Sequence, residues 1–102
     1  MTQMTVDELK TRMDAGEEVH LLDVREDDER AAFNIGGIHH RLGEIQAMNI
    51  EPIEDLKEKE LVIYCRSGNR SQVAGLVLEM LGFKNVVNLA GGMRDWQEKF
   101  GG

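Results

Sequence analysis

Cys65 is the only cysteine in the chain, and its neighbours are the residues best suited to chemistry. It ends the apolar run Leu61-Val62-Ile63-Tyr64 and opens the polar loop Arg66-Ser67-Gly68-Asn69-Arg70-Ser71. The residues after the loop, Ser71 to Leu81, read as a helix that stops at Gly82. A thiol placed before a helix N-terminus faces unpaired amides and the positive end of the helix dipole. Together with nearby arginines, such a setting lowers a cysteine pKa from ~8.5 into a range of ~3.5–7.5. The thiolate is the nucleophile. Arg66 and Arg70 add fixed positive charge suited to an anionic substrate. Gly68 permits tight curvature, and Ser67, Asn69 and Ser71 supply small donors. The stretch reads as an anion cradle around a nucleophilic sulfur. A cysteine at the end of a buried strand is often only a small hydrophobe, but that role requires neither the arginines nor the glycine turn.

The elements that must position this loop alternate along the chain. Thr5 and Glu8 form a capping box for a helix with Val6, Leu9 and Met13 on one stripe and Gly16 as its stop. Val19 to Val24 reads as a buried strand. Asp27 or Asp28 caps a second helix, "DERAAF". "GIHHRL" reads as an extended piece and "GEIQAM" as one or two helical turns, and Pro52 suits the first position of another short turn. Leu61 to Tyr64 lacks alternation, as expected of a central strand buried on both faces. In the helix that follows, Gln72, Gly75 and Glu79 form a narrow polar stripe, so the rest of its surface is expected to be covered. Val86 to Leu89 is a further strand, and Met93 to Phe100 a final helix carrying Trp96. This alternation predicts an α/β fold with a parallel sheet covered on both faces.

The bulk composition is consistent with one domain over residues 1–102. The chain carries 19 acidic and 12 basic residues, a net charge of −7. That balance disfavours nucleic acid and anionic membranes as partners. No apolar run approaches the ~20 residues that span a bilayer. The N-terminus has neither the basic nor the apolar region of a secretory signal, and one cysteine cannot form an internal disulfide. Cytoplasm is the expected location, and nothing points to an obligate oligomer. His39 and His40 are adjacent on an extended piece and should face opposite ways, so no metal site is expected. The run 25–30, "REDDER", fits a helix N-terminus, where carboxylates complement the dipole.

The loop spacing discriminates between two cysteine chemistries. In cysteine phosphatases five residues separate the cysteine from its arginine. Here four residues lie between Cys65 and Arg70. The ring of amides is one residue shorter, too tight for a phosphate ester but suited to a single sulfur atom. "CRSGNRS" resembles the active loop of rhodanese-family sulfurtransferases. "LLDVRE" at 21 to 26 and "VVNLAGGMRDW" at 86 to 96 are similar to that family's first and closing signatures.

The resemblance implies a parallel sheet of about five strands with helices on both faces. It also implies a ping-pong cycle in which Cys65 takes a sulfane sulfur from a donor such as thiosulfate and passes it to cyanide or a thiol. On this reading Cys65 is nucleophile and persulfide carrier, and no cofactor is called for. The amides of Arg66 through Ser71 cradle the terminal sulfur, while Arg66 and Arg70 hold the donor's sulfonate. Asp23 and Arg25 lie at the strand edge near the loop, either fixing an arginine or forming a structural ion pair. The partners implied are a small-molecule donor and acceptor, or a sulfur-relay protein, since no second thiol exists to resolve the persulfide. The segment "FNIGGIHHRLGEI" departs from the family's "GHIPGAINIP" in lacking the proline and the first histidine. Donor preference is the property this departure touches.

Overall fold

The computed structural model describes residues 1–102. Five strands form one sheet: β1 (Thr2–Met4), β2 (Leu21–Asp23), β3 (Ile38–His39), β4 (Glu60–Tyr64) and β5 (Asn85–Leu89). Their order is β1-β5-β4-β2-β3, and every pairing is parallel. Five α-helices connect them: α1 (Val6–Asp14), α2 (Asp27–Ala32), α3 (Leu42–Gln46), α4 (Asn69–Met80) and α5 (Gly92–Phe100), with a 3-10 turn at Glu51–Leu56. The parallel α/β sheet read from the alternation is the sheet observed, with five strands.

β4 lies at the centre, hydrogen-bonded to β5 on one side and β2 on the other. Its side chains divide between two separate apolar clusters, as the period of two requires. Leu61, Ile63 and Cys65 pack with Leu22, Ile45, Ile53, Ala74 and Leu78 on one face. Val62 and Tyr64 pack with Val6, Leu9, Leu89, Met93 and Trp96 on the other. A strand buried on both faces needs apolar residues at every position, hence the missing alternation.

Several boundaries differ from the sequence reading. β1 was not anticipated: it is three residues long, only Met4 is buried, and so short an edge strand has no legible period. Val19 to Val24 narrows to Leu21–Asp23. The cap of α2 is Glu26, whose amide donates to Glu29 Oε1 at 3.1 Å, so Asp27 and Asp28 sit inside the first turn instead of capping it. α4 begins at Asn69, two residues before Ser71, because Gly68 adopts φ 98° and turns the chain into the helix. The α4 surface also needs correction. Gly75 is buried, whereas Val73, Leu76 and Met80 are exposed. α4 is covered by the sheet and α3, and its Gly75 side is the face that comes close: a Cβ there would meet Met1 Sδ and Val86. His39 and His40 do diverge. His39 Nε2 lies 2.7 Å from the Arg25 carbonyl, and His40 meets the Asn49 carbonyl. No helix is long and apolar enough to cross a membrane.

Candidate active site

All five strands are parallel, so their carboxyl ends lie along one edge, the edge at which open α/β sheets bind ligands. Cys65 follows the last residue of β4 there. The junction into α5 leaves the same edge from β5 on one side. The segment into α2 leaves it from β2 on the other. These are the two neighbours of β4 in the sheet, so they are the elements that can reach the loop.

The loop's donors point inward. The Gly68 amide donates to Cys65 Sγ at 3.1 Å and the Ser71 amide at 3.4 Å. The Ser71 hydroxyl oxygen lies 3.4 Å from the same sulfur. The amides of Arg66, Asn69 and Arg70 have no acceptor within the protein. Inward-facing amides leave the carbonyls of the loop pointing out, where α5 receives them. Met93 N–H donates to the Cys65 carbonyl at 2.9 Å, and Arg94 N–H to the Arg66 carbonyl at 2.8 Å. The first turn of α5 thereby uses its own unpaired amides to hold the loop in its cradle form. This approach requires Gly92. It has φ 52°, and a Cβ there would lie 2.4 Å from the Cys65 carbonyl oxygen.

Cys65 is fully buried. Burial pushes its thiol up. Hydrogen bonds to the ionised sulfur, from the Ser71 hydroxyl when it turns to Sγ and from the amides of Ser71, Ser67 and Gly68, outweigh that effect, and the net direction is down. A buried sulfur that favours its anion differs from an inert core thiol, for which burial acts unopposed.

The three nearby arginines are not equivalent. Arg25 is buried beside Asp23, with Nε on Oδ1 and Nη2 on Oδ2, both at 2.9 Å. Its Nη2 also donates to the Phe33 carbonyl at 2.6 Å. Of the two roles considered for Asp23 and Arg25, the buried ion pair is the arrangement found, and Asp23 does fix an arginine. Arg70 points to Glu29 of α2 rather than lying free over the loop: both of its terminal nitrogens donate at 2.7 Å. Arg66 is exposed and has no carboxylate partner. It lines a pocket of about 290 Å³ with Arg25, Glu29, Ala32, Phe33, Met93 and Gln97. A larger hollow of about 690 Å³ lies elsewhere, lined by His40, Glu44, Met48, Glu51 and Glu54 among others, and it includes no loop residue.

The structure places Cys65 and residues 66–71 in one loop, and three further residues that shape their setting were not singled out in the sequence. Glu29 is hidden in an acidic run. Gly92 reads as the break between a strand and the final helix. Asn88 is a polar residue set between the apolar Val87 and Leu89, which is itself the signal that could have found it: such a residue needs a buried partner. It is nearly fully buried and accepts from the Ser71 hydroxyl at 2.5 Å.

The match to known proteins covers the same elements. The sequence profile of the rhodanese-like domain fits residues 5–99. The chain is 45% identical over 91 residues to the Bacillus subtilis protein YtwF, provisionally named a sulfurtransferase, spanning 87% of this chain and 84% of the relative. It is 37% identical over 98 residues to YrkF of the same organism, provisionally named a sulfur carrier protein. There it covers 95% of this chain but only 51% of the relative, so the chain spans about half of that protein. Among solved structures, the human single-domain sulfurtransferase TSTD1 superposes with a TM-score of 0.80 at 30% identity, covering 97% of both chains. The fold, the six-residue cysteine loop and these matches agree, and the chain belongs to the rhodanese-like domain family of sulfurtransferases.

Proposed function

We propose that the chain transfers a sulfane sulfur from thiosulfate, or a donor of the same type, to a thiophilic acceptor through a persulfide on Cys65. The Cys65 thiolate attacks the outer sulfur of thiosulfate. A new S–S bond forms, the S–S bond of thiosulfate breaks, and sulfite leaves with the electron pair. The terminal sulfur of the persulfide carries the negative charge. Cyanide or a thiolate then attacks that sulfur, taking it as thiocyanate or a new persulfide and returning Cys65 as thiolate. Neither half needs a cofactor or an added oxidant.

One observation carries this reading. The Gly68 and Ser71 amides aim at Sγ while those of Arg66, Asn69 and Arg70 have no protein acceptor. Donors already in place hold the resting thiolate, and others are free for the charge once it moves outward by one atom. Arg66, free of carboxylates beside the pocket, suits the sulfonate of the donor. Arg70, held by Glu29, acts through charge and position. Thiocyanate formation from thiosulfate and cyanide tests the proposal: turnover is expected in the wild-type protein, and none above a Cys65→Ser control would overturn it.

A second reading is a persulfide carrier loaded by a partner protein in the cytoplasm. It is favoured by the similarity to YrkF, half of which lies outside the match. Loading of Cys65 from a cysteine desulfurase, without thiosulfate turnover, distinguishes it.

A further inference from the structure

Asn88 lies near the carboxyl end of β5, opposite Ile63 of β4. The two protons of its Nδ2 are shared among three acceptors, the Gly68 carbonyl at 3.3 Å, Gln3 Oε1 at 2.8 Å and Gln72 Oε1 at 3.2 Å. A backbone carbonyl only accepts, so the Gly68 contact fixes which way the amide faces. Oδ1 therefore points at Ser71, whose Oγ donates to it at 2.5 Å. A serine hydroxyl has one proton. With that proton on Asn88, Ser71 presents lone pairs to the Cys65 sulfur 3.4 Å away. A neutral thiol can donate its S–H to those lone pairs. A thiolate meets them unfavourably unless the hydroxyl turns from Asn88 to the sulfur, which leaves Oδ1 buried without a donor.

We propose that Asn88 is a positioning residue that competes with the Cys65 sulfur for the single Ser71 hydroxyl proton, and so sets how readily the nucleophile forms. The idea rests on Cys65 being the nucleophile. It has a consequence for the cycle. In the persulfide, Sγ is neutral and carries no proton, and the charge sits on the outer sulfur. The Ser71–Asn88 bond is then intact. It is strained only in the bare thiolate. Asn88 thus favours the thiol and the sulfur-loaded form over the empty thiolate, and so retains sulfur on the protein. The Gly68 and Ser71 amides stabilise the thiolate regardless, so Asn88 moderates the threshold without abolishing ionisation.

The charged groups around the sulfur are separate from this contact. They are Arg66 on the loop, Arg70 of α4 with Glu29 of α2, and Asp23 at the end of β2 with Arg25 just after it. In the first turn of α5, Arg94 and Asp95 pair with each other. β5 itself contributes no titratable side chain.

The test is a double-mutant cycle read as the pH dependence of ultraviolet thiolate absorbance and of iodoacetamide alkylation, in wild type, Asn88→Leu, Ser71→Ala and the double variant. Asn88→Leu is expected to free the hydroxyl and move the Cys65 inflection down by about one pH unit. The same substitution in the Ser71→Ala background is expected to move it little. A downward shift of equal size in both backgrounds, or an upward or absent shift in Asn88→Leu, would overturn the proposal. If Asn88→Leu does not fold, Asn88→Ala takes its place in both backgrounds: a downward shift that is lost in the Ser71→Ala background supports the competition, and an equal, upward or absent shift refutes it. Neither readout uses a sulfur donor, so a failed thiosulfate assay and a failed cycle are separate results.

Discussion

Glu29 grips Arg70 with two 2.7 Å hydrogen bonds, one to each carboxylate oxygen. This fork ties α2 to the first turn of α4, 41 residues away in sequence, and neutralises a cation near Cys65. Asp23 does the same for Arg25. Only Arg66 is left with its charge unmatched by a carboxylate.

Arg66→Ala is therefore expected to raise the KM for thiosulfate by about tenfold, as loss of a charge-assisted contact to an anion does, with kcat changed far less. Steady-state thiocyanate formation over a range of thiosulfate concentrations checks it. A fall confined to kcat would mean that Arg66 does not hold the donor.

Glu29→Gln should act in the opposite sense. It releases Arg70, leaving two unmatched cations, and is expected to lower the KM for the thiosulfate dianion about threefold at low salt, an advantage that added salt removes. A neutral trisulfide donor should show no such gain. The pair also has a pH signature. The Arg70 hydrogen bonds hold the Glu29 carboxyl down to about 2 despite its partial burial. A carboxyl lowered on folding contributes stability above its unfolded value of ~4.3 and loses it as the pH falls toward the folded value. The difference in melting temperature between wild type and Glu29→Gln should thus be constant near neutrality and shrink as the pH falls from about 5 to about 2.

Gly92→Ala probes the support of the loop. Its φ of 52° and the 2.4 Å approach of an added Cβ to the Cys65 carbonyl oxygen force either α5 or the loop to move. A cost of about 1–3 kcal/mol in stability is expected from the backbone conformation alone. Sulfur transfer should fall further than stability, because the Met93 and Arg94 amides would no longer hold the loop carbonyls outward. Denaturant melts and thiocyanate turnover, measured side by side, separate the two effects.

Asp23→Asn leaves the Arg25 guanidinium buried without its counter-charge. Removal of one partner from a buried pair costs about 3–5 kcal/mol. Urea unfolding should show this loss as an earlier midpoint at unchanged slope, with the reactivity of Cys65 toward alkylation altered far less than in Gly92→Ala.

The sheet was legible because its central strand cannot alternate and its connections cannot be short. The cradle around Cys65 was legible because its donors and its glycine turn are written in consecutive residues, 65 to 71. What was not legible depends on distance in sequence. Arg70 looked free because nothing near it in the chain is acidic; its partner sits on another element. Asn88 and Ser71 meet only because β5 lies beside β4. β1 was missed because three edge residues with one buried side chain carry no periodicity. The exposed apolar face of α4, Val73, Leu76 and Met80, runs against composition, since which side a mostly apolar helix covers is set by where Gly75 lets it approach Met1 and Val86.

The central claim is that Cys65 carries sulfur as a persulfide inside the ring of main-chain donors. Intact-mass measurement after incubation with thiosulfate tests it most directly. The wild-type protein is expected to gain the mass of one sulfur atom, to lose it on addition of cyanide, and to show no gain as Cys65→Ser. A wild-type mass that does not change with thiosulfate or with a cysteine desulfurase as donor, or a gain that persists in Cys65→Ser, would contradict the account.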